Sequence, residues 1–266
     1  MSALTMPTTR RDEGRRQRVL APPQGGRFAA VIFDMGSTLL EFENVPWAAL
    51  YPSSVESAYR MLQRLGKPLP PTERFTVRFN ELLERRRRGI REEQREYRIG
   101  DLLRDLVRPF DIHLLPDEME RLHAAYYAPI RRQVTVYPDA EATLAELKSR
   151  GYRLGLLSNT CFRARDHREE LQHFGIWPHL DAAVFTSTGV FRKPHPEPFR
   201  LVAHRLRVSA RRCLYVGDRQ HEDAIGATHA GMTAVLVRRP RRAYEPGATR
   251  CVEIAELREL PARLAG

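Results

Sequence analysis

From residue 136 onward the chain alternates short apolar runs with polar stretches of helix length, and few folds accept that pattern. The runs are Tyr152–Leu157, Ala182–Thr186, Cys213–Val216 and Thr233–Val237, and helical stretches are expected at about 139–150, 163–174, 197–207 and 222–231. An earlier run, Arg27–Phe33, ends in Asp34 and has a glycine two residues on, the pattern of a buried strand emptying into a loop. Strands that alternate with helices of about 10 to 15 residues form a parallel sheet with right-handed crossovers. The expected class is therefore α/β, a Rossmann-like parallel sheet flanked by helices.

Between the first strand and the rest, the texture changes. Residues 43–135 keep helical periods, with Val55, Ala58, Leu62 and Leu65 on one face, then Ile99, Leu102, Leu103, Leu106 and Val107, and later Met119, Leu122 and Tyr126. No strand is expected there. This divides the chain into a core of 27–42 and 136–266, an inserted helical bundle of 43–135, and a basic tail of 1–26 whose Pro-Pro-Gln-Gly-Gly end reads as flexible. A transit peptide is the rival reading of the tail, and Asp12 and Glu13 speak against it. A last helix is expected at 253–264. In the insertion, Glu81–Arg85 and Glu84–Arg88 have i,i+4 spacing, which suits a solvated, ion-paired helix face.

Composition narrows the function classes. Hydrophobic residues make up 42% of the 266, enough for a sizeable core, and no run is long and apolar enough for a membrane helix. Three cysteines without a C-x-x-C pair fit a reduced cytoplasm, the expected location, better than a disulfide scaffold. The net charge of +11 attracts anions, phosphate esters and nucleic acid alike. No aromatic stacking stripe or nucleic-acid module accompanies it, so nucleic acid is not an expected partner.

Four runs end in reactive residue types: Asp34, Ser158, the Lys193 loop and Asp218. Ligands of open parallel sheets bind beyond the carboxyl ends of the strands, so four polar endings on one rim weigh more than any one. Each also has a bland reading. Asp34 before Met-Gly can be a turn cap, with Gly36 letting the backbone turn tightly and leaving neighbouring amides near a ligand. Ser158-Asn159-Thr160 can cap the next helix, or offer a hydroxyl and N–H groups to an anion. Lys193, one of three lysines, is held by a proline-stiffened loop. His195 beside it is read as a loop residue without chemistry. Asp218 and Asp223 can be acids near a helix start, or ligands of a Mg²⁺ that keeps several waters. Glu222 and His221 are read as solvated.

Taken in order, FDMGST (33–38), LLSNT (156–160), RKPHPEPF (192–199) and VGDRQHEDAIGATHAGM (216–232) resemble the motifs of the haloacid dehalogenase-like hydrolase superfamily, in the branch with a helical cap between the first and second motifs. The resemblance implies that Asp34 is the nucleophile that becomes an aspartyl-phosphate. It implies a Mg²⁺ ion held by the carboxylates of Asp34 and Asp218 and the Gly36 carbonyl, with Asp223 supporting the metal shell directly or through water. It implies phosphate-oxygen donors at Ser158 and the Asn159 amide, and a cation at Lys193 that bridges nucleophile and phosphoryl group. A small phosphorylated metabolite is the implied partner. The sequence leaves the oligomeric state open.

One position departs from the pattern. The family's phosphatases usually carry a second Asp two residues after the nucleophile, as general acid and then base, and here that residue is Gly36. Losing a positioned acid typically costs about 10²–10⁴-fold. Good leaving groups such as anomeric sugar phosphates, acyl phosphates or aryl esters suffer less, so a phosphatase weak on simple alkyl esters is expected, or one that borrows an acid from the cap or substrate. Arg219, where the family often has Ser, is expected to touch the cap or a substrate anion. A 2-haloacid dehalogenase and a catalytically impaired phospho-ligand-binding protein are the alternatives; the first needs no metal, and Asp218 with Asp223 speaks against it.

Overall fold

A computed structural model describes residues 26–240, 242–245 and 251–264. The tail expectation for 1–26 falls almost wholly outside them. The sheet has six parallel strands: β1 (Ala30–Phe33), β4 (Arg153–Ser158), β5 (Ala182–Phe185), β6 (Cys213–Gly217), β7 (Thr233–Val237) and β8 (Val252–Ile254), in the spatial order β5-β4-β1-β6-β7-β8. Between them run α5 (Ala140–Ser149), α6 (Ala164–His173), α7 (Pro196–Arg205) and α8 (Gly226–His229).

Ala-Val-Ile-Phe of β1 is fully buried, as a central strand covered on both faces must be. One face packs into the large core that continues into the helical insertion; the other, through Ala30 and Ile32, packs on Val202, Leu206 and Phe199 of the α7 layer. Phe33 is in register with Leu156 on one side and Val216 on the other. Asp34, Ser158 and Asp218 consequently emerge at neighbouring points of one sheet rim. From β1 the chain builds outward through β4 and β5, then returns to β6 on the opposite side. That reversal opens a crevice at the carboxyl ends of the strands.

The insertion holds α1 (Trp47–Arg64), α2 (Thr72–Glu93), α3 (Ile99–Val107) and α4 (Pro116–Arg131). Pro116 opens α4, where its missing N–H costs nothing, and Glu118 accepts from the Leu115 N–H at 2.9 Å. Gln94 ends α2 in the left-handed region (φ 52°). The segment that follows docks on the loop leading to Lys193: the Arg192 N–H donates to the Gln94 carbonyl (2.9 Å), and Arg95 donates to the Gly189 carbonyl (2.7 Å). A two-stranded antiparallel ribbon of β2 (Leu40–Glu41) and β3 (Thr135–Val136) ties the two ends of the insertion together.

Three local expectations are corrected. The last helix over 253–264 is instead β8, a 3₁₀ turn at Leu257–Glu259 and the short α9 (Leu260–Arg263). Val-Glu-Ile is too short to show a strand period, and only pairing with β7 reveals it. The helix expected at 222–231 begins as a π-helical turn, Gln220–Ile225, before α8. On α2, the ion pairs are Arg78–Glu81 and Glu84–Arg87 rather than 81–85 and 84–88, and Arg87 also lies over the Tyr51 ring, 5.4 Å away. Among the described residues no helix is long and apolar enough to cross a membrane.

Candidate active site

At the crevice lies a cavity of about 450 Å³ whose floor includes Asp34, Ser158 and Lys193. Asp34 follows directly on β1 and is fixed by its N–H, which donates to the Val216 carbonyl at 2.9 Å. The loop beyond it turns at Ser37, not Gly36. Ser37 adopts a left-handed φ of 54°, whereas Gly36 stays outside that region and has room for a side chain, with Phe42 at 3.8 Å from a built Cβ. The tight-turn reading of Gly36 is thus corrected; its lack of a side chain is not a backbone requirement.

Lys193 is the centre of the site. Its ammonium donates to Asp34 Oδ1 (2.5 Å), Asp223 Oδ1 (2.6 Å) and the Tyr215 hydroxyl (2.9 Å), which uses all three of its protons. The side chain is 2% exposed. Burial works against its charge, but Asp223 and Asp34 outweigh that and hold its pKa above the ordinary value. The loop presenting it is clamped by Asn159, whose side-chain NH₂ donates to the Lys193 carbonyl (3.0 Å) while its Oδ1 accepts the Lys193 N–H (2.8 Å). Asn159 Oδ1 and one of its two side-chain amide protons are thereby tied to the loop.

Asp223 reaches back from the π-helical turn across Gly217. A Cβ on Gly217 would lie 2.4 Å from the Asp223 carboxyl carbon, so only glycine admits this path. Asp223 Oδ2 accepts the Arg219 N–H at 2.9 Å, and Oδ1 faces Lys193 and Tyr215. Asp218, fully buried, accepts from Arg242 Nε at Oδ2 (2.6 Å). Its Oδ1 is buried without a hydrogen-bond partner among the described residues.

One carboxylate oxygen from each of Asp34, Asp218 and Asp223 lies within 4.8 Å of the other two. With protein charges alone this crowding is costly. Burial first, and then Asp223 and Asp218 against the opposing pull of Lys193, push Asp34 up to about 7; burial and Asp223, opposed by Arg242, push Asp218 up to about 6. Hard oxygen donors, a crowded negative charge and an orphaned carboxylate oxygen suit Mg²⁺. The residues present fit such an ion.

Asp34, Lys193, Asp218 and Asp223 come together and Ser158 lines the cavity beside them, whereas Glu222, read as solvated, is half-buried at the cavity wall and pairs with Arg219. His195 caps α7, accepting the Glu197 N–H, and stacks on Phe191. Arg219 sits 3.8 Å from Glu43 and 3.7 Å from Glu222 at the cavity wall. Two participants escaped the sequence reading. Tyr215 carried a signal, since a phenol inside a buried strand needs a partner. Arg242 carried none in a chain this rich in arginine, although it joins Asp218, Ser37 and Glu43.

The chain has relatives among known proteins. "Phosphoserine phosphatase" of Thermus thermophilus is 33% identical over 145 residues, 54% of this chain and 57% of that protein. The chain spans about half the length of the curated relatives it matches. Among solved structures, a "HAD phosphatase" of Thermococcus onnurineus superposes with TM-score 0.61 at 27% identity, covering 90% of this chain and 99% of that one. A "2-Haloacid Dehalogenase" of Pseudomonas syringae shares the fold with TM-score 0.64 at 24% identity, covering 90% and 98%. The family profile described as "haloacid dehalogenase-like hydrolase" matches residues 28–231, which takes in β1 through α8 and every residue of the site except Arg242. With that match, the chain belongs to the haloacid dehalogenase-like hydrolases.

Proposed function

We propose that the chain is a Mg²⁺-dependent hydrolase of small phosphate monoesters that works through an aspartyl-phosphate on Asp34. The observation that carries the reading is the contact of one buried ammonium, Lys193 Nζ, with both Asp34 and Asp223 at the floor of a substrate-sized cavity. The names of the curated relatives, phosphatases of phosphoserine, glyceraldehyde 3-phosphate and phosphoglycolate, support it.

The residues take these parts. Lys193 engages Asp34 Oδ1 and leaves Oδ2 to attack phosphorus in line with the leaving oxygen. Ser158, buried at the end of β4, and the Asn159 main-chain N–H donate to the phosphoryl oxygens as charge spreads over them. Asp34, Asp218 through its unpartnered Oδ1, and the Gly36 carbonyl would hold the ion, while Asp223, whose oxygens are engaged by Lys193, Tyr215 and Arg219, would support its shell. When bound, Mg²⁺ supplies positive charge where a dianionic ester must approach a carboxylate. Covalent transfer splits one hard displacement into two easier ones. Helices α1–α4 act as the cap over this floor, excluding water during transfer. Because Gly36 supplies no proton, the enzyme favours esters whose leaving group departs readily as an anion.

The test is a phosphate-release screen with Mg²⁺, run beside Asp34→Asn and a fluoroberyllate-binding assay. Release of phosphate from at least one ester, silent in the variant, with an adduct on Asp34 supports the reading. Chloride release from 2-haloacids without metal, and no phosphate release, overturns it.

A further inference from the structure

We infer that the leaving group this site accepts is aromatic, so that the substrate class is an aryl phosphate monoester. The inference deepens the phosphatase reading above and rests on it. Its first support is the cavity wall. Trp47 and Tyr51 come from the first turns of α1, Tyr97 from the segment between α2 and α3, and Phe162 from the loop after β4, and all line the cavity that contains Asp34 and Gly36. The Trp47 ring stacks between two of the others, 5.5 Å and 28° from Tyr51 and 6.4 Å and 17° from Phe162. Arg87 lies 5.4 Å from the Tyr51 ring on the same wall. Aromatic rings gathered from three segments onto one polar-floored cavity match a flat apolar body with a charged end.

The second support is independent and chemical. With glycine at 36, the leaving oxygen departs without a proton from that position. A phenol has a pKa near ~10, as in tyrosine, against ~15.7 for water. A phenoxide therefore leaves where an alkoxide does not, and it leaves into a wall of π-surfaces and an arginine. A sugar also stacks on rings, but its ordinary hydroxyls are alkoxide leaving groups. The rival proton source is Glu96, whose buried side chain lines the cavity with Arg192 at 3.9 Å.

The experiment compares kcat/KM, with Mg²⁺, for acetyl phosphate, phenyl phosphate, hexafluoroisopropyl phosphate and phosphoserine. Acetyl phosphate needs neither a ring nor an acid and reports the phosphatase reading alone. The fluorinated ester matches phenol in acidity but is not flat. The expected result is turnover of acetyl phosphate, with phenyl phosphate preferred over the fluorinated ester by about tenfold or more and that ratio falling toward unity in Trp47→Ala. Binding is read separately in Trp177→Phe, where phenylphosphonate quenches Trp47 fluorescence and methylphosphonate at equal concentration does not. Equal rates on the two matched esters, equal quenching, or phosphoserine turnover abolished by Glu96→Gln overturns the inference while the phosphatase reading stands. Failure on acetyl phosphate together with no adduct on Asp34 overturns both.

Discussion

Replacing Gly36 by Asp is expected to extend the enzyme to alkyl esters. The backbone allows it. Gly36 lies outside the left-handed region, and a Cβ there meets Phe42 at 3.8 Å, an ordinary van der Waals contact, so the carbonyl of residue 36 keeps its place. Residue 36 lines the same cavity as Asp34, so a carboxyl there can serve the leaving oxygen as a general acid. A positioned acid contributes about 10²–10⁴-fold, which corresponds to roughly 2.7–5.5 kcal/mol of barrier. The gain belongs to substrates that leave as alkoxides. Phosphoserine is expected to gain about 10²-fold or more in kcat/KM and acetyl phosphate less than about threefold, since its leaving group needs no proton. Gly36→Asn, similar in shape without the acidic proton, is the control and gains nothing. Equal gains on both substrates, or a gain in the Asn variant as large as in the Asp variant, would refute the reasoning.

Three further outcomes are expected. Lys193→Met leaves Asp34 and Asp223 facing each other in a buried site, so urea unfolding at pH 8 should show a loss of about 3–5 kcal/mol; because carboxyls with raised folded-state pKa bind protons more readily than in the unfolded chain, the deficit should shrink by pH 6, and an equal loss at both values would count against the ion-pair account. His123, held down to about 4 by burial and then by Arg163, resists protonation in the folded state; its contribution is intact above the unfolded value of about 6.5 and falls by about 2 kcal/mol at pH 5, a loss that His123→Leu should remove from a comparison of unfolding at pH 7.5 and 5. Gly217→Ala places a Cβ 2.4 Å from the Asp223 carboxyl carbon and must displace that acid from Lys193 and the Arg219 N–H, so steady-state assays should show turnover reduced about 10²-fold or more with a stability loss of about 1–3 kcal/mol.

The parts of the site that the sequence discloses are those fixed by strand geometry. Asp34, Ser158 and Asp218 each end an apolar run, and parallel pairing brings such ends onto one rim whatever the helices between them do. Lys193 stood out by its rarity in an arginine-rich chain. The hidden parts depend on contacts between segments far apart. Arg242 meets Asp218 across 24 residues of chain and Ser37 across 205, and one arginine among so many gives no pattern to read. The aromatic wall is likewise invisible in order, because Trp47, Tyr97 and Phe162 are separate in sequence and meet only once the insertion docks on the loop before Lys193. At β8, three residues carry too little periodicity, and a neighbouring strand supplies the pairing.

The charges of the site themselves argue for a divalent ion. Asp34, Asp218, Asp223, Glu43 and Glu222 form one linked set with Lys193, Arg219 and Arg242 through the contacts described. The carboxylates of Asp34, Asp218 and Asp223 converge where burial is deepest, with Lys193 placed on Asp34 and Asp223 and Arg242 on Asp218. Burial and neighbouring carboxylates push Asp34 up to about 7 and Asp218 up to about 6, and Asp218 Oδ1 has no hydrogen-bond partner among the described residues. A carboxyl held partly protonated is a poor nucleophile, and a dianionic ester would add to the repulsion. A dication held by Asp34 and Asp218 would offset this repulsion and supply positive charge where a dianionic ester must approach a carboxylate. Lys193 cannot do this alone, since its three protons are already shared among Asp34, Asp223 and Tyr215. Its place is to hold the two acids in a fixed geometry, so that the residues that would hold such an ion are already arranged.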